Sequence, residues 1–225
     1  MLRDSFELLL ILKRLGYDRA ERDEWWWPAS GTFQTVVGAI LTQNTRWERV
    51  EISLENLEKL ELLSLHAMAN ADGRLLEEAI RPSGFYRNKA RVLRELARKM
   101  LEEFSTFENF AQTVDREWLL QRRGIGPESA DAILNYACYK EAFVVDSYTA
   151  RLLGALAFTM EGYDEIAQWF VEGIYERYEE LFPSLCRAQC YARSHGMIVE
   201  YCKAKRRGSR ISVGEILRAA ESLEG

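Results

Sequence analysis

Apolar residues recur along this chain at steps of three and four, the period of helices with one buried face. Phe6, Leu9, Leu10 and Leu12 mark the first, capped by Asp4 or Ser5 and ending before Gly16. After a capping Ser30 come Phe33, Val36, Val37, Ile40 and Leu41, then a polar break, Thr42-Gln43-Asn44-Thr45. Trp47, Val50, Leu54 and Leu57 open the next helix. Ser64 and the group Leu75, Leu76, Ala79 and Ile80 predict two short helices. A Pro- and Gly-containing turn, Arg81-Pro82-Ser83-Gly84-Phe85-Tyr86, leads into a basic helix with Ala90, Leu93, Leu96, Ala97, Met100 and Phe104 inward. Thr106 and Asp115 cap two more, the second bearing Trp118 and Leu119. Ala130, Ile133, Leu134 and Ala137 line another, and Leu152, Leu153 and Leu156 follow a capping Ser147. Helices are expected from Tyr163 to Tyr178 and from Leu185 to Lys203. A capping box, Ser212-x-x-Glu215, starts the last. No stretch alternates convincingly as a strand does, so the class is all-α, with about ten to twelve short helices.

Three places depart from this rhythm. Trp25-Trp26-Trp27-Pro28 breaks the helical pattern, because Pro28 disfavours a helical Trp27, and three adjacent indoles cannot all face one core. Gly124-Ile125-Gly126 places two glycines between helical patterns, a hairpin whose backbone N–H groups can face an anion. Phe143-Val144-Val145 ends abruptly at Asp146, an acid poorly solvated unless something uses it and placed where a helix N-terminus favours its charge.

Composition adds limits. With 225 residues and 48% hydrophobic content the chain can bury a substantial core. Its longest apolar run, Leu8 to Leu12, is too short to cross a bilayer, and no secretory pattern opens it, so an intracellular, cytoplasmic protein without membrane contact is expected. Four cysteines fit a reducing compartment, and the spacing of Cys186, Cys190 and Cys202 matches no common zinc pattern, so no metal is expected. The net charge of −5 hides two basic clusters, one between Arg81 and Lys99 and one from Lys203 to Arg210. Such clusters are either solvated helix faces or polyanion contacts.

Leu120-Gln121-Arg122-Arg123-Gly124-Ile125-Gly126-Pro127-Glu128-Ser129-Ala130, followed by Val144-Val145-Asp146, resembles the helix-hairpin-helix and catalytic aspartate of the endonuclease III superfamily of DNA glycosylases. Leu41-Thr42-Gln43-Asn44-Thr45, Gly84-Phe85-Tyr86-Arg87-Asn88-Lys89-Ala90 and His195-Gly196 are similar to family segments in the same order. The resemblance implies a six-helix barrel lobe over 30–140, a second lobe from 1–29 and 141–225, and a cleft between them. Into that cleft a damaged nucleotide of double-stranded DNA would be flipped. Two departures narrow the activity. Glu128 stands where strand-cleaving members keep a lysine, and a carboxylate cannot form a Schiff base. Glu200, Arg207, Arg210 and Ile216 stand where many members keep the four cysteines of an iron–sulfur cluster, so no cofactor is expected. With the tryptophan segment, this pattern is most similar to the cluster-free 3-methyladenine DNA glycosylases.

The implied roles are specific. Asp146 would stabilise positive charge on the deoxyribose and direct a water. Trp27 and Trp47 would wall the base site, with Trp25 and Trp26 as the second choices for the same role, because a cationic base gains from stacking on indole. Gln43 would fill the gap left by the flipped nucleotide, and its neighbour Asn44 would contact DNA. Gly124, Gly126 and Ser129 would present N–H groups to phosphates, with Arg87 and Lys89 adding charge. His195 is expected to be a packing residue. The protein is expected to be a monomer that leaves the strand uncut. Three alternatives stay open: another lesion, strand cleavage through a different amine such as Lys140, and a non-catalytic DNA-binding module.

Overall fold

The computed structural model describes residues 2–18, 23–208 and 210–224. Among them are fourteen α-helices and a single two-stranded hairpin, an all-α fold. The chain forms two compact units, one of Ala29–Tyr139 and one of Met1–Pro28 with Lys140–Gly225.

The unit built from the chain ends contains α1 (Ser5–Arg14), α10 (Ser147–Ala155), α11 (Tyr163–Ile174), α12 (Tyr178–Leu181), α13 (Arg187–Lys205) and α14 (Gly214–Glu224). Its spine is α13, in which every residue from Cys190 to Cys202 is buried. A helix enclosed on all sides has no solvated face, so the polar residues inside it, Arg193, Ser194, His195 and Glu200, have to be satisfied internally. The sequence pattern had suggested only one buried stripe. α1 lays Leu8, Leu9 and Leu12 into the same core and packs on α11, α13 and α14. Phe143 stacks on Phe170 with ring centroids 4.3 Å apart, and its full burial contributes about 2 kcal/mol. Just before it, Glu141 receives two bonds, of 3.0 and 2.9 Å, from the Arg187 guanidinium, which also lies 3.9 Å over the Tyr175 ring. The segment that delivers Asp146 is therefore fixed by a charged clamp at one end and an aromatic stack in its middle.

The middle unit contains α2 (Phe33–Leu41), α3 (Trp47–Lys59), α4 (Leu65–Asn70), α5 (Gly73–Ala79), α6 (Tyr86–Phe104), α7 (Phe107–Thr113), α8 (Arg116–Leu120) and α9 (Pro127–Ala132). A 3-10 turn, Arg81–Ser83, precedes α6, and a π-helical turn, Ile133–Ala137, continues α9. α6 is the amphipathic helix its sequence predicts, burying Ala90, Leu93, Leu96, Ala97 and Met100 against α4 and α2. Arg116 holds Asp131 with bonds of 2.8 and 3.1 Å, stapling α8 to α9 across the glycine hairpin.

Several boundaries differ from the sequence expectation. Asp146, rather than Ser147, caps α10, because its carboxylate reaches the Thr149 N–H; Thr32, rather than Ser30, precedes α2. The helix expected from Tyr163 to Tyr178 stops at Ile174 and resumes at Tyr178 as a separate turn. The hairpin pairing Arg206–Arg207 with Arg210–Ile211 is too short for any alternation to reveal.

Candidate active site and nucleic-acid interface

Asp146 follows the buried Val144 and Val145 and begins α10 with its side chain 17% exposed. One carboxylate oxygen accepts from the Thr149 N–H at 2.8 Å and from its hydroxyl at 3.0 Å. The other lies 3.7 Å from Nε2 of His195. Burial works against ionisation here, but His195 and the two Thr149 donors outweigh it, so the carboxyl is held below the usual carboxylate range. His195, expected as packing alone, thus also faces Asp146.

The tryptophan segment docks on the same spine. Trp26 has φ +67, a backbone state that is strained for a bulky side chain, and it is not the extended residue that alternation would require. Its indole meets the His195 ring edge-on, with centroids 5.4 Å apart, and its N–H reaches the Glu200 carboxylate at 3.3 Å. Gly196 makes this possible: a Cβ there would come within 2.5 Å of the indole. The His-Gly pair is therefore a seat for Trp26. Arg193 anchors the approach to it, bonding Asp18 and, at 3.4 Å, the Asp23 carbonyl. Trp27, expected as a pocket wall, is only 8% exposed, whereas Trp26 is half-buried. Trp25 and Trp47 are also half-buried, Trp47 at the first position of α3 in the middle unit.

In the middle unit three loops are tied together. Gln43 donates to the Gly124 carbonyl and to the Ser129 hydroxyl, both at 2.9 Å, so the polar break is bonded to the hairpin. Lys89, expected as a phosphate contact, is a correction: it is 2% exposed, and its ammonium donates to the Leu41 carbonyl at 2.8 Å, the Ser83 carbonyl at 2.8 Å and the Thr45 hydroxyl at 2.7 Å. Desolvation lowers its pKa to about 8. The charge is used to join the break to the turn before α6, so it is not available at the surface. Arg87 is exposed, 3.9 Å from Glu77, and Asn44 is exposed at φ +51. Gly124 and Gly126 are exposed too, with Ser129 buried behind them. Gly124 has φ +83, and a Cβ there would sit 2.6 Å from Val92, so only glycine lets the hairpin close on α6.

The same loop cluster carries a residue that the sequence reading passed over. Phe85 is 73% exposed and left-handed at φ +46, directly before α6. Gly84 beside it made the turn legible; which way the aromatic ring would face was not.

The base excision DNA repair family HhH-GPD matches residues 37–176. The chain belongs to the HhH-GPD superfamily of base excision DNA repair proteins. A Methanocaldococcus jannaschii protein that carries the name of a DNA repair glycosylase is 37% identical to it over 210 residues, 90% of each chain. The crystal structure of an H. pylori 3-methyladenine DNA glycosylase bound to 1,N6-ethenoadenine superimposes with a TM-score of 0.87 at 44% identity, covering 91% of this chain and all of that one. An endonuclease III–DNA complex matches over both whole chains with a TM-score of 0.67 at 17% identity, a likeness of fold.

This glycosylase has Glu128 exposed on α9, at the second helical position after the hairpin. Among its described residues no cluster of three or more His, Cys, Asp or Glu side chains is arranged to hold a metal ion. Its cysteines are unbridged, and burial pushes the Cys190 and Cys202 thiols up to about 12. No helix among the described residues is long and apolar enough to cross a membrane.

Proposed function

We propose that this glycosylase is monofunctional: it binds damaged duplex DNA, flips out an alkylated purine, most readily 3-methyladenine, and releases it by hydrolysis of the N-glycosidic bond. The observation that carries the chemistry is Asp146, a carboxylate 17% exposed and held in its ionised form by His195 and Thr149. Departure of a base leaves positive charge on the sugar, and a desolvated anion stabilises that charge more than water does. 3-Methyladenine is already cationic, so the leaving group needs an electron-rich stacking face more than an acid, and Trp26 supplies one. The H. pylori structure, whose protein is named for that base, supports the same assignment. Glu128 in place of an amine supports hydrolysis without strand cleavage.

The test is mass spectrometry of bases released from methylated DNA, with borohydride trapping on abasic DNA alongside. 3-Methyladenine is expected in the supernatant and no covalent adduct on the protein. Release of another base alone defeats the lesion assignment, and a trapped adduct defeats the monofunctional one.

On the DNA side, Gly124, Gly126 and Ser129 hold phosphates, Arg87 adds charge, and Phe85 enters the duplex. An exposed aromatic on a strained backbone, beside a hairpin with open N–H groups, is suited to wedging between base pairs. Gln43 and Asn44 shape the loop beside it. Phe85→Ala is expected to slow excision from duplex DNA about thirtyfold while excision from single-stranded DNA, which needs no unstacking, changes less than about twofold. Equal losses on both substrates would remove Phe85 from this role.

A further inference from the structure

Arg87, Arg91, Arg94 and Arg98 stand at steps of four, three and four along α6, so they share one face of it. Arg87, Arg91 and Arg98 are exposed, and each has a partner: Glu77 at 3.9 Å, the Asn88 amide oxygen at 2.5 Å and the Ala69 carbonyl at 2.9 Å. Arg94 differs. It is half-buried, its Nε is shut off from solvent, and among the described residues its guanidinium makes no hydrogen bond or ion pair. It lies instead over Gly73, where a Cβ would stand 2.8 Å from Nη1, so glycine at the start of α5 leaves the room it occupies. The four arginines line a cavity of about 170 Å³ together with Glu77 and Glu95, and two carboxylates do not balance four guanidinium charges.

We propose that this cavity seats a phosphate of the DNA backbone flanking the lesion, bonded to the Nη nitrogens of Arg94; this rests on the reading of Phe85 and the glycine hairpin as the DNA face. A half-buried guanidinium without an acceptor, among others of the same sign, is costly, and charge-assisted bonds to phosphate oxygens offset that cost. A solvated arginine row accounts for Arg87, Arg91 and Arg98 but not for Arg94. The row begins beside the wedge: Phe85 precedes α6, Arg87 is its second residue, and Arg94 lies about 10 Å further along the axis. Four arginines spread along a helix suit an extended polyanion better than a single small ion. The contact holds the duplex in register without reading its sequence.

The experiment uses duplex carrying one tetrahydrofuran abasic analogue, which fixes the register whichever base the protein excises. Affinity is measured against salt for the parent, Arg94→Gln and Arg94→Lys, with one phosphate at a time replaced by a neutral methylphosphonate. At one position the replacement is expected to weaken the parent about tenfold and Arg94→Gln less than about twofold, and the slope of log affinity against log salt is shallower by about 0.9 in that variant. Arg94→Lys keeps the charge but not the planar fork, so it keeps the slope while the penalty at that position shrinks to about threefold; this holds the proposal testable if Arg94→Gln does not fold. A parental slope in Arg94→Gln, or the same penalty in parent and variants at every phosphate, overturns the proposal. Inorganic phosphate titrated by calorimetry at constant ionic strength separates the other source of the anion. Heat that Arg94→Gln abolishes, with no difference at any methylphosphonate, makes the ligand a free phosphoanion and overturns the DNA assignment. A parent whose duplex binding does not depend on salt overturns the reading of the hairpin face as well, whereas salt-dependent binding that the Arg94 variants leave intact overturns the cavity's role alone.

Discussion

Asp146→Asn is expected to reduce base release about a thousandfold while leaving affinity for undamaged duplex within about twofold of the parent, read by single-turnover excision and by equilibrium binding. The substitution is informative because asparagine is as good an N-cap as aspartate. Its amide oxygen can still accept from the Thr149 N–H and hydroxyl that now bond the carboxylate, so α10 keeps its start. Only the charge is lost. A variant that retains more than about a tenth of parental turnover would show that Asp146 is a cap, and the non-catalytic reading would gain.

The pH profile follows from the same group. His195 and Thr149 depress the Asp146 carboxyl against the opposing effect of burial. Activity that needs the ionised form therefore persists below the ordinary carboxylate range and fails as pH falls through the lower folded value. The stability contributed by this depression is present above the unfolded pKa and is lost in the same descent. Asp146→Asn removes that acid-side dependence.

How much of this was legible beforehand depended on the kind of signal. The Gly124-Ile125-Gly126 hairpin and the acid ending an apolar run were local in sequence, because glycine and a buried charge each constrain their own backbone or solvation. α13 was half legible. Its apolar residues predicted the helix, but a helix enclosed on every side carries polar residues whose partners lie on other segments, so the pairing of His195 with Asp146 and of Glu200 with Trp26 had no sequence signature. The backbone at Trp26 was hidden for a similar reason. Alternation assumes an extended strand, and the turn at Trp26 removed that assumption. Lys89 was misplaced because a basic run reads as a surface. On an amphipathic helix the residue one step before Ala90 borders the buried stripe, and three oxygens converging on its ammonium outweighed its preference for water.

That placement makes Lys89→Met a test with an outcome opposite to the one a surface lysine would give. Methionine fills similar volume but donates nothing, leaving the Leu41 and Ser83 carbonyls and the Thr45 hydroxyl without their shared ammonium. Each buried acceptor so exposed costs about 1–3 kcal/mol, so denaturant unfolding should show a loss of about 3 kcal/mol. The loops that carry Gln43 and Phe85 would loosen together, because Lys89 and the Thr45 hydroxyl, which bonds the Ser83 carbonyl, are what span them, and excision should fall accordingly. The slope of log affinity against log salt should stay as in the parent, since no phosphate contact is removed. The folded pKa of about 8 lies below the usual lysine value, so the unfolded chain binds the extra proton between about 8 and 10.5. Stability of the parent should therefore rise with pH across that window, and the Lys89→Met variant should lack that rise. A flattened salt slope with unchanged stability would return Lys89 to the surface and dissolve the account of how these loops are held.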